Sequence, residues 1–168
     1  MFVLSFAKSI EPDHSSYGFT HILVGESLVS IWFKEPNLEE INSWSEDTIL
    51  EHLGIVITDV GENYIEGTMP ADKRTFQPYK LVHGGANVVL AESLGSIGGM
   101  LTLNSDEYYC VGQEVNANHL RAVQSGVITG RAEQVYRGRT SQVWEIKLYD
   151  DSNKLTCISR LTLAVVKN

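Results

Sequence analysis

Only two cysteines occur in the 168 residues, and basic side chains are outnumbered, 13 Lys and Arg against 21 Asp and Glu. Cys110 and Cys157 are too few for a disulfide scaffold and lack metal-type spacing, so they read as reduced thiols of a cytoplasmic protein. A formal charge of −8 argues against a chain that tracks nucleic-acid phosphates over a basic surface. It leaves room for a small anionic ligand held by a few arginines. No basic segment precedes the apolar start MFVLSFA, and Lys8, Glu11 and Asp13 follow it, so no secretory leader is expected. The G-x-S-x-G elbow is missing, because Ser93 is flanked by Ala91-Glu92 and Leu94-Gly95. No G-x-G-x-x-G follows a strand pattern and no His/Cys cluster suggests zinc. A serine hydrolase, a nucleotide-dependent enzyme and a metalloenzyme are unsupported, and neither metal nor cofactor is expected. Repeats and low-complexity tracts are also missing. What remains is a chain that is 43% hydrophobic, enough to bury one domain's core.

Residues 1–30 show no sustained period and read as an extension of uncertain order, ahead of a domain over 31–168. Asn37-Leu-Glu-Glu40 resembles a capping box and Ser45 offers a second cap, which predicts short helices over 38–44 and 46–52. GIVITDVG (54–61) and NYIEGTMPA (63–71) alternate like strands around Gly61-Glu62-Asn63. DKRTFQPYKL is a loop. After a long apolar run come four strand patterns, YYCVGQEVNANHLR, GVITGRAEQVYRG, TSQVWEIKLYD and LTCISRLTLAVV, divided by short polar turns. Two strands, one long helix and four strands predict an α+β domain, an antiparallel sheet packed on one helix.

The apolar run, Leu81–Met100, is nearly long enough for a bilayer, but His83, Asn87 and Glu92 argue against a membrane span. As a helix it contains Gly95, Gly98 and Gly99, each costing up to about 1 kcal/mol relative to alanine. They are expected to admit a sheet that curls closely around the helix. His83-Gly84-Gly85 at its start exposes backbone N–H groups to which a ligand oxygen can come close, the geometry of an oxyanion hole. Glu92 lies nine positions further on, roughly 13 Å along the axis and about half a turn round. Both cannot reach one carbonyl from the same chain. Glu92 is then a core acid satisfied by hydrogen bonds, or acts alone, or meets the glycine pair of a second, two-fold-related copy. The third reading accounts for the whole segment and predicts an obligate dimer.

HGGANVVLAESLGS, preceded by TFQP and followed by GQEVNANHLR, resembles the hot-dog-fold acyl-CoA thioesterases. The likeness is strongest to the group of 1,4-dihydroxy-2-naphthoyl-CoA hydrolase and the enterobactin-pathway proofreading thioesterases, relatives of the phenylacetate-pathway enzymes. It covers roughly Ile31 to Val166. The resemblance implies a sheet wrapped around one central helix, two such units in a dimer, and pairing of dimers into a tetramer. It implies hydrolysis of an aromatic acyl-CoA, 1,4-dihydroxy-2-naphthoyl or hydroxybenzoyl in type, or of an acyl-carrier-protein thioester, without a cofactor.

By motif, Glu92 becomes the catalytic carboxylate, as nucleophile or as general base on water. Gly85 would donate its N–H to the thioester oxygen beside His83 and Gly84, and Gln77 would orient water or substrate. Ser96, four residues after Glu92 and so on the same helical face, would place water or assist the leaving thiolate. His119 and Arg121, two apart in a predicted strand and thus facing one side, would contact the coenzyme A portion. The turn Gly138-Arg139-Thr140 matches the family's coenzyme A-contacting turn, though its small and basic residues are ordered differently here. Two other readings compete. A non-catalytic acyl-CoA sensor would need no acid at Glu92, and a hot-dog dehydratase or hydratase would carry a histidine in a longer motif that this chain does not contain.

Overall fold

The computed structural model describes residues 30–168, so the expected extension 1–30 lies, but for Ser30, outside the described residues. Ile31 joins the fold through its N–H, which donates to the Glu62 carbonyl at 3.0 Å. The Trp32 indole N–H reaches the Gly61 carbonyl at 2.6 Å. Two short helices follow, α1 (Leu38–Ser43) and α2 (Ile49–Leu53). Asn37 caps α1 by accepting from the Glu40 N–H at 3.0 Å. The second helix starts later than Ser45 predicts. Asp47, at φ 58°, has a left-handed backbone that a helix does not accommodate. Thr48 therefore caps α2, and Gly54, at φ 70°, ends it.

The remaining elements are β1 (Val56–Val60), β2 (Tyr64–Pro70), α3 (Gly84–Leu101), β3 (Tyr108–His119), β4 (Val127–Arg137), β5 (Ser141–Tyr149) and β6 (Leu155–Lys167). The strands form one antiparallel sheet in the order β1-β2-β4-β5-β6-β3, curled around α3, which touches every strand from β2 to β6. This is the expected hot-dog arrangement. Alternation sorts the side chains: along β5, Gln142, Trp144, Ile146 and Leu148 face inward and are buried. They meet Leu90, Leu94, Leu161 and Leu163 in the core. Each such leucine contributes on the order of 2 kcal/mol by leaving water. No helix among the described residues is long and apolar enough to cross a membrane.

The helix glycines are packing positions. A methyl group on Gly98 would stand 2.9 Å from the Trp144 ring, and one on Gly95 2.6 Å from a Leu161 methyl. On Gly99 it would overlap Leu163. The sheet answers in kind: Gly67 and Gly130 are paired across β2 and β4 and make a dent that holds Leu94.

At the far end of α3, Gln142 turns its buried amide to the helix terminus. Its Nε2 donates to Thr102 Oγ1 at 3.0 Å while its Oε1 accepts from the Trp144 indole N–H at 3.0 Å. At the other margin of the sheet, β3 pairs only with β6. This twelve-residue edge strand has exposed Tyr109 and Val111 and no covering element among the described residues.

Candidate active site

The loop before α3 delivers the chain to the helix start through a chain of backbone bonds. The Gln77 N–H donates to the Leu81 carbonyl at 2.8 Å, Val82 to Val123 at 2.9 Å, and His83 to Thr75 at 2.8 Å. His83 is the N-cap: its Nδ1 accepts from the Gly85 N–H at 2.8 Å. An accepting Nδ1 carries no proton, so the neutral ring holds its proton on Nε2. The Gly85 amide singled out by sequence is thus capped in the free chain. The neighbouring Gly84 N–H has no acceptor among the described residues.

Glu92 sits at mid-helix with its carboxylate against β3, where an added Cβ on Gly112 would overlap Oε1 and lie 3.3 Å from Cδ. Among the described residues no cation and no hydrogen-bond donor meets that carboxylate. Partial burial alone raises its pKa above the ordinary glutamate value of 4.5. Of the alternatives left open by sequence, a core acid satisfied by hydrogen bonds within the described chain is not found. Ser96 and then Met100 continue the same face. Beyond Met100 opens a groove of about 190 Å³ lined by Phe33, Trp44 and Leu103 together with Lys34, Glu35 and Glu40.

A register shift in β3 between Gly112 and Glu114 controls what else faces the helix. Before it, Cys110 and Gly112 point toward α3; after it, Val115, Ala117 and His119 do. Gly112 and His119 are an odd number of residues apart and would lie on opposite faces of a regular strand. The bulge puts both on the helix side. His119 stacks on the bare Gly84, its Nε2 2.7 Å from where a Cβ would be. Its Nδ1 lies 3.5 Å from Asn87 Nδ2.

Arg121, expected to share a strand face with His119, lies beyond the end of the strand. β3 ends at His119, and the Leu120 and Arg121 N–H groups both donate to the Thr156 carbonyl, at 2.7 and 3.2 Å, so strand alternation has stopped. Arg121 nonetheless shares with Gln77, Gly84, Asn87 and His119 a cavity of about 290 Å³ at the helix start.

Asn87 was not assigned a role from sequence. The available signal was a lone amide in the apolar run GGANVVLA. The turn Gly138-Arg139-Thr140 lies elsewhere, joining β4 to β5 beside Asn104 at the other end of α3. An 18-residue helix, roughly 26 Å long, separates it from His119 and Arg121. One chain therefore divides the predicted binding residues between two ends.

A depression of about 670 Å³ lies on the outer face of the sheet, away from Glu92. Its cations are already paired, Arg131 with Glu66 at 2.9 Å and Glu133 at 2.8 Å and Lys147 with Glu145 at 2.6 Å, while Asp150 and Asp151 accept backbone N–H groups. Cys110 is inert as a nucleophile, its thiol pushed up to about 11 by burial. Among the described residues, no three His, Cys, Asp or Glu side chains gather closely enough for a metal ion.

The sequence pattern of the Thioesterase superfamily matches residues 79–157, which holds the helix start, Glu92, the bulge and His119. The chain is 46% identical over 136 residues to the proofreading thioesterase EntH of Cronobacter sakazakii, covering 81% of this chain and 98% of that one. A crystal structure of thioesterase PA1618 from Pseudomonas aeruginosa, a mutant form, superimposes with a TM-score of 0.82 at 47% identity, covering 83% of this chain and 100% of that one. Thioesterase HI1161 from Haemophilus influenzae gives 0.79 at 47% identity over 82% and 95% of the two chains. A mid-helix carboxylate, a glycine-built helix start and a fold shared with these enzymes over more than four fifths of the chain place it in the thioesterase superfamily, as a hot-dog-fold thioester hydrolase.

Proposed function

We propose that the substrate is an aromatic acyl thioester of coenzyme A or of an acyl-carrier protein, hydrolysed at two sites that a pair of chains builds jointly. The observation that carries this reading is the Glu92 carboxylate, half-sheltered against Gly112 and without a cation or donor among the described residues. It is separated from the Gly84 and Gly85 N–H groups of its own helix start by roughly 11 to 12 Å of helix. A second copy related by a two-fold axis, its helix antiparallel, would bring each acid to the other's Gly85. The unpaired β3 edge is the surface available for joining them. The same antiparallel arrangement would carry one chain's Gly138–Thr140 turn past the helix start toward the other's His119 and Arg121, reuniting the binding residues. Pairing of two dimers gives the tetramer.

In this reading a thioester oxygen displaces the His83 ring from the Gly85 N–H. The exchange is favoured as charge develops, because an oxyanion is the stronger acceptor. As general base, Glu92 takes a proton from water, whose oxygen adds to the carbonyl carbon. The tetrahedral intermediate then expels the thiolate, which receives that proton. As nucleophile, Glu92 forms a mixed anhydride with release of thiolate, and water then cleaves it. Hydroxylamine trapping of an acyl-enzyme separates the two routes. Ser96 stands one turn along to hold the water or meet the thiolate, and Gln77 flanks the helix start. The groove past Met100, lined by Phe33 and Trp44, supports a flat aromatic acyl group. The acidic chain with reduced cysteines fits the cytoplasm.

Complementation tests the shared site. Glu92→Ala lacks the acid, and Gly85→Pro lacks the amide hydrogen at a helix position that tolerates proline. Each alone is expected to be inactive. Unfolded together and refolded, they should recover about one quarter of wild-type turnover, since half the dimers are mixed and each has one intact site. No recovery from a mixture shown to contain mixed dimers would refute the joint site. Turnover of aryl and alkyl acyl-CoA and acyl-carrier substrates then identifies the acyl group.

A further inference from the structure

Asn87 is out of place by every stability criterion. It lies on α3 within an apolar run, is 5% exposed, and its side-chain Oδ1 is buried with no hydrogen-bond partner. A buried acceptor left unpaired costs stability, and a leucine or alanine in the helix would avoid that cost. Among the described residues the one polar group its amide meets is His119: Nδ2 faces the ring's Nδ1 at 3.5 Å. An N–H donor aimed at Nδ1 requires that nitrogen to be unprotonated, which leaves the proton of the neutral ring on Nε2. Nε2 is the atom that stands over Gly84, at the mouth of the cavity shared with Gln77 and Arg121.

We infer that Asn87 is a positioning residue that fixes the tautomer of His119, so that its Nε2–H, beside the Gly84 N–H, offers a second donor to an oxygen of the substrate's carrier arm. This rests on the thioesterase reading of the same cavity. Coenzyme A and a carrier protein both present amide and phosphate oxygens on a pantetheine arm, so the chemistry recognised is common to both. The arm is bound in the ground state and in the transition state alike. Losing the donor therefore raises KM and leaves kcat nearly unchanged.

The test compares wild type with Asn87→Ala, Asn87→Asp and His119→Ala, using one aryl-CoA and the corresponding aryl thioester of a pantetheinylated carrier protein. Nitrogen-15 NMR of the histidine ring supplies a readout independent of turnover. Wild type should show His119 protonated on Nε2, Asn87→Ala a mixture of tautomers, and Asn87→Asp, whose carboxylate attracts the proton, protonation on Nδ1. Asn87→Ala should melt no lower than wild type and raise KM by about 2-fold, as an even mixture of tautomers halves the competent fraction, whereas His119→Ala should raise it by about 3- to 10-fold, the worth of one neutral hydrogen bond. The effect should be equal on both carriers. Asn87→Ala combined with His119→Ala should be no worse than His119→Ala alone.

A wild-type ring protonated on Nδ1, an Asn87→Ala protein with unchanged tautomer and KM, or losses that multiply in the double variant would each overturn the assignment. In those outcomes thioester hydrolysis by wild type still stands. Wild type inert on every thioester would remove the functional reading and this inference together.

Discussion

Replacing Gly112 with alanine isolates the position of the Glu92 carboxylate from the integrity of the fold. The new Cβ would overlap Glu92 Oε1 and sit 3.3 Å from Cδ and 3.7 Å from Oε2. Nothing of the backbone opposes it: Gly112 is exposed on the edge strand and its φ is not in the left-handed region. The acid is the far end of a flexible side chain, so it yields. Restoring ordinary contact moves Oε1 by about 1 Å, and misplacing a catalytic group by that much costs about 100-fold in rate. Stability should change by less than about 1 kcal/mol, since alanine loses less chain entropy than glycine while Glu92 takes a poorer rotamer. The assay is thiol release from an aryl-CoA under saturation, beside urea denaturation. Gly112→Ala should lose about two orders of magnitude in kcat at near-wild-type stability. Combined with Glu92→Ala it should lose nothing beyond Glu92→Ala alone. A Gly112→Ala enzyme with wild-type kcat would refute the placement of the acid.

Four further outcomes are expected. Glu92→Ala should lower turnover at least about 100-fold with the fold retained, and the acid limb of the wild-type kcat/KM profile should lie above the ordinary glutamate value, because burial raises this acid's pKa. The same shift makes the folded state hold more protons than the unfolded chain just above pH 4.5, so wild-type stability falls as pH rises through that window. Glu92→Gln should remove this slope in denaturation curves taken on either side of it. Gln142→Leu leaves the Trp144 indole N–H without a buried partner, while the Thr102 hydroxyl keeps its bond to the Gly99 carbonyl, and should cost about 1–3 kcal/mol by thermal melting. Trimming residues 1–30 should leave solubility and turnover largely intact; aggregation of the trimmed chain would show that the segment belongs to the core.

Period and punctuation were enough for the strands and the central helix. β5 alternates so cleanly between inner and outer residues that its inward set, Gln142 to Leu148, can be read from spacing alone. Turns at Gly61 and Gly138 mark where the chain reverses. The site was legible as a list: an acid in an apolar helix, a glycine pair at its start, a histidine in a strand. Its arrangement was not. A bulge has no sequence signature here, yet the shift after Gly112 decides that His119 lies on the helix side of the strand, against Gly84. Strand alternation was carried one turn too far to Arg121, because the end of β3 is fixed by the Thr156 carbonyl of another strand. Asn87 passed as a polar interruption, since only packing reveals which ring its amide meets.

By itself, then, the sequence determined what is local: which segments are strands or helix, which face of each is apolar, and which groups carry chemistry. These follow from residue-by-residue geometry over a few positions. The tertiary structure alone decided that a carboxylate with no partner of its own rests against a glycine, and that a histidine stands over the helix start. Such meetings depend on how an edge strand is shifted against its neighbour, a sum over contacts between residues far apart in the chain.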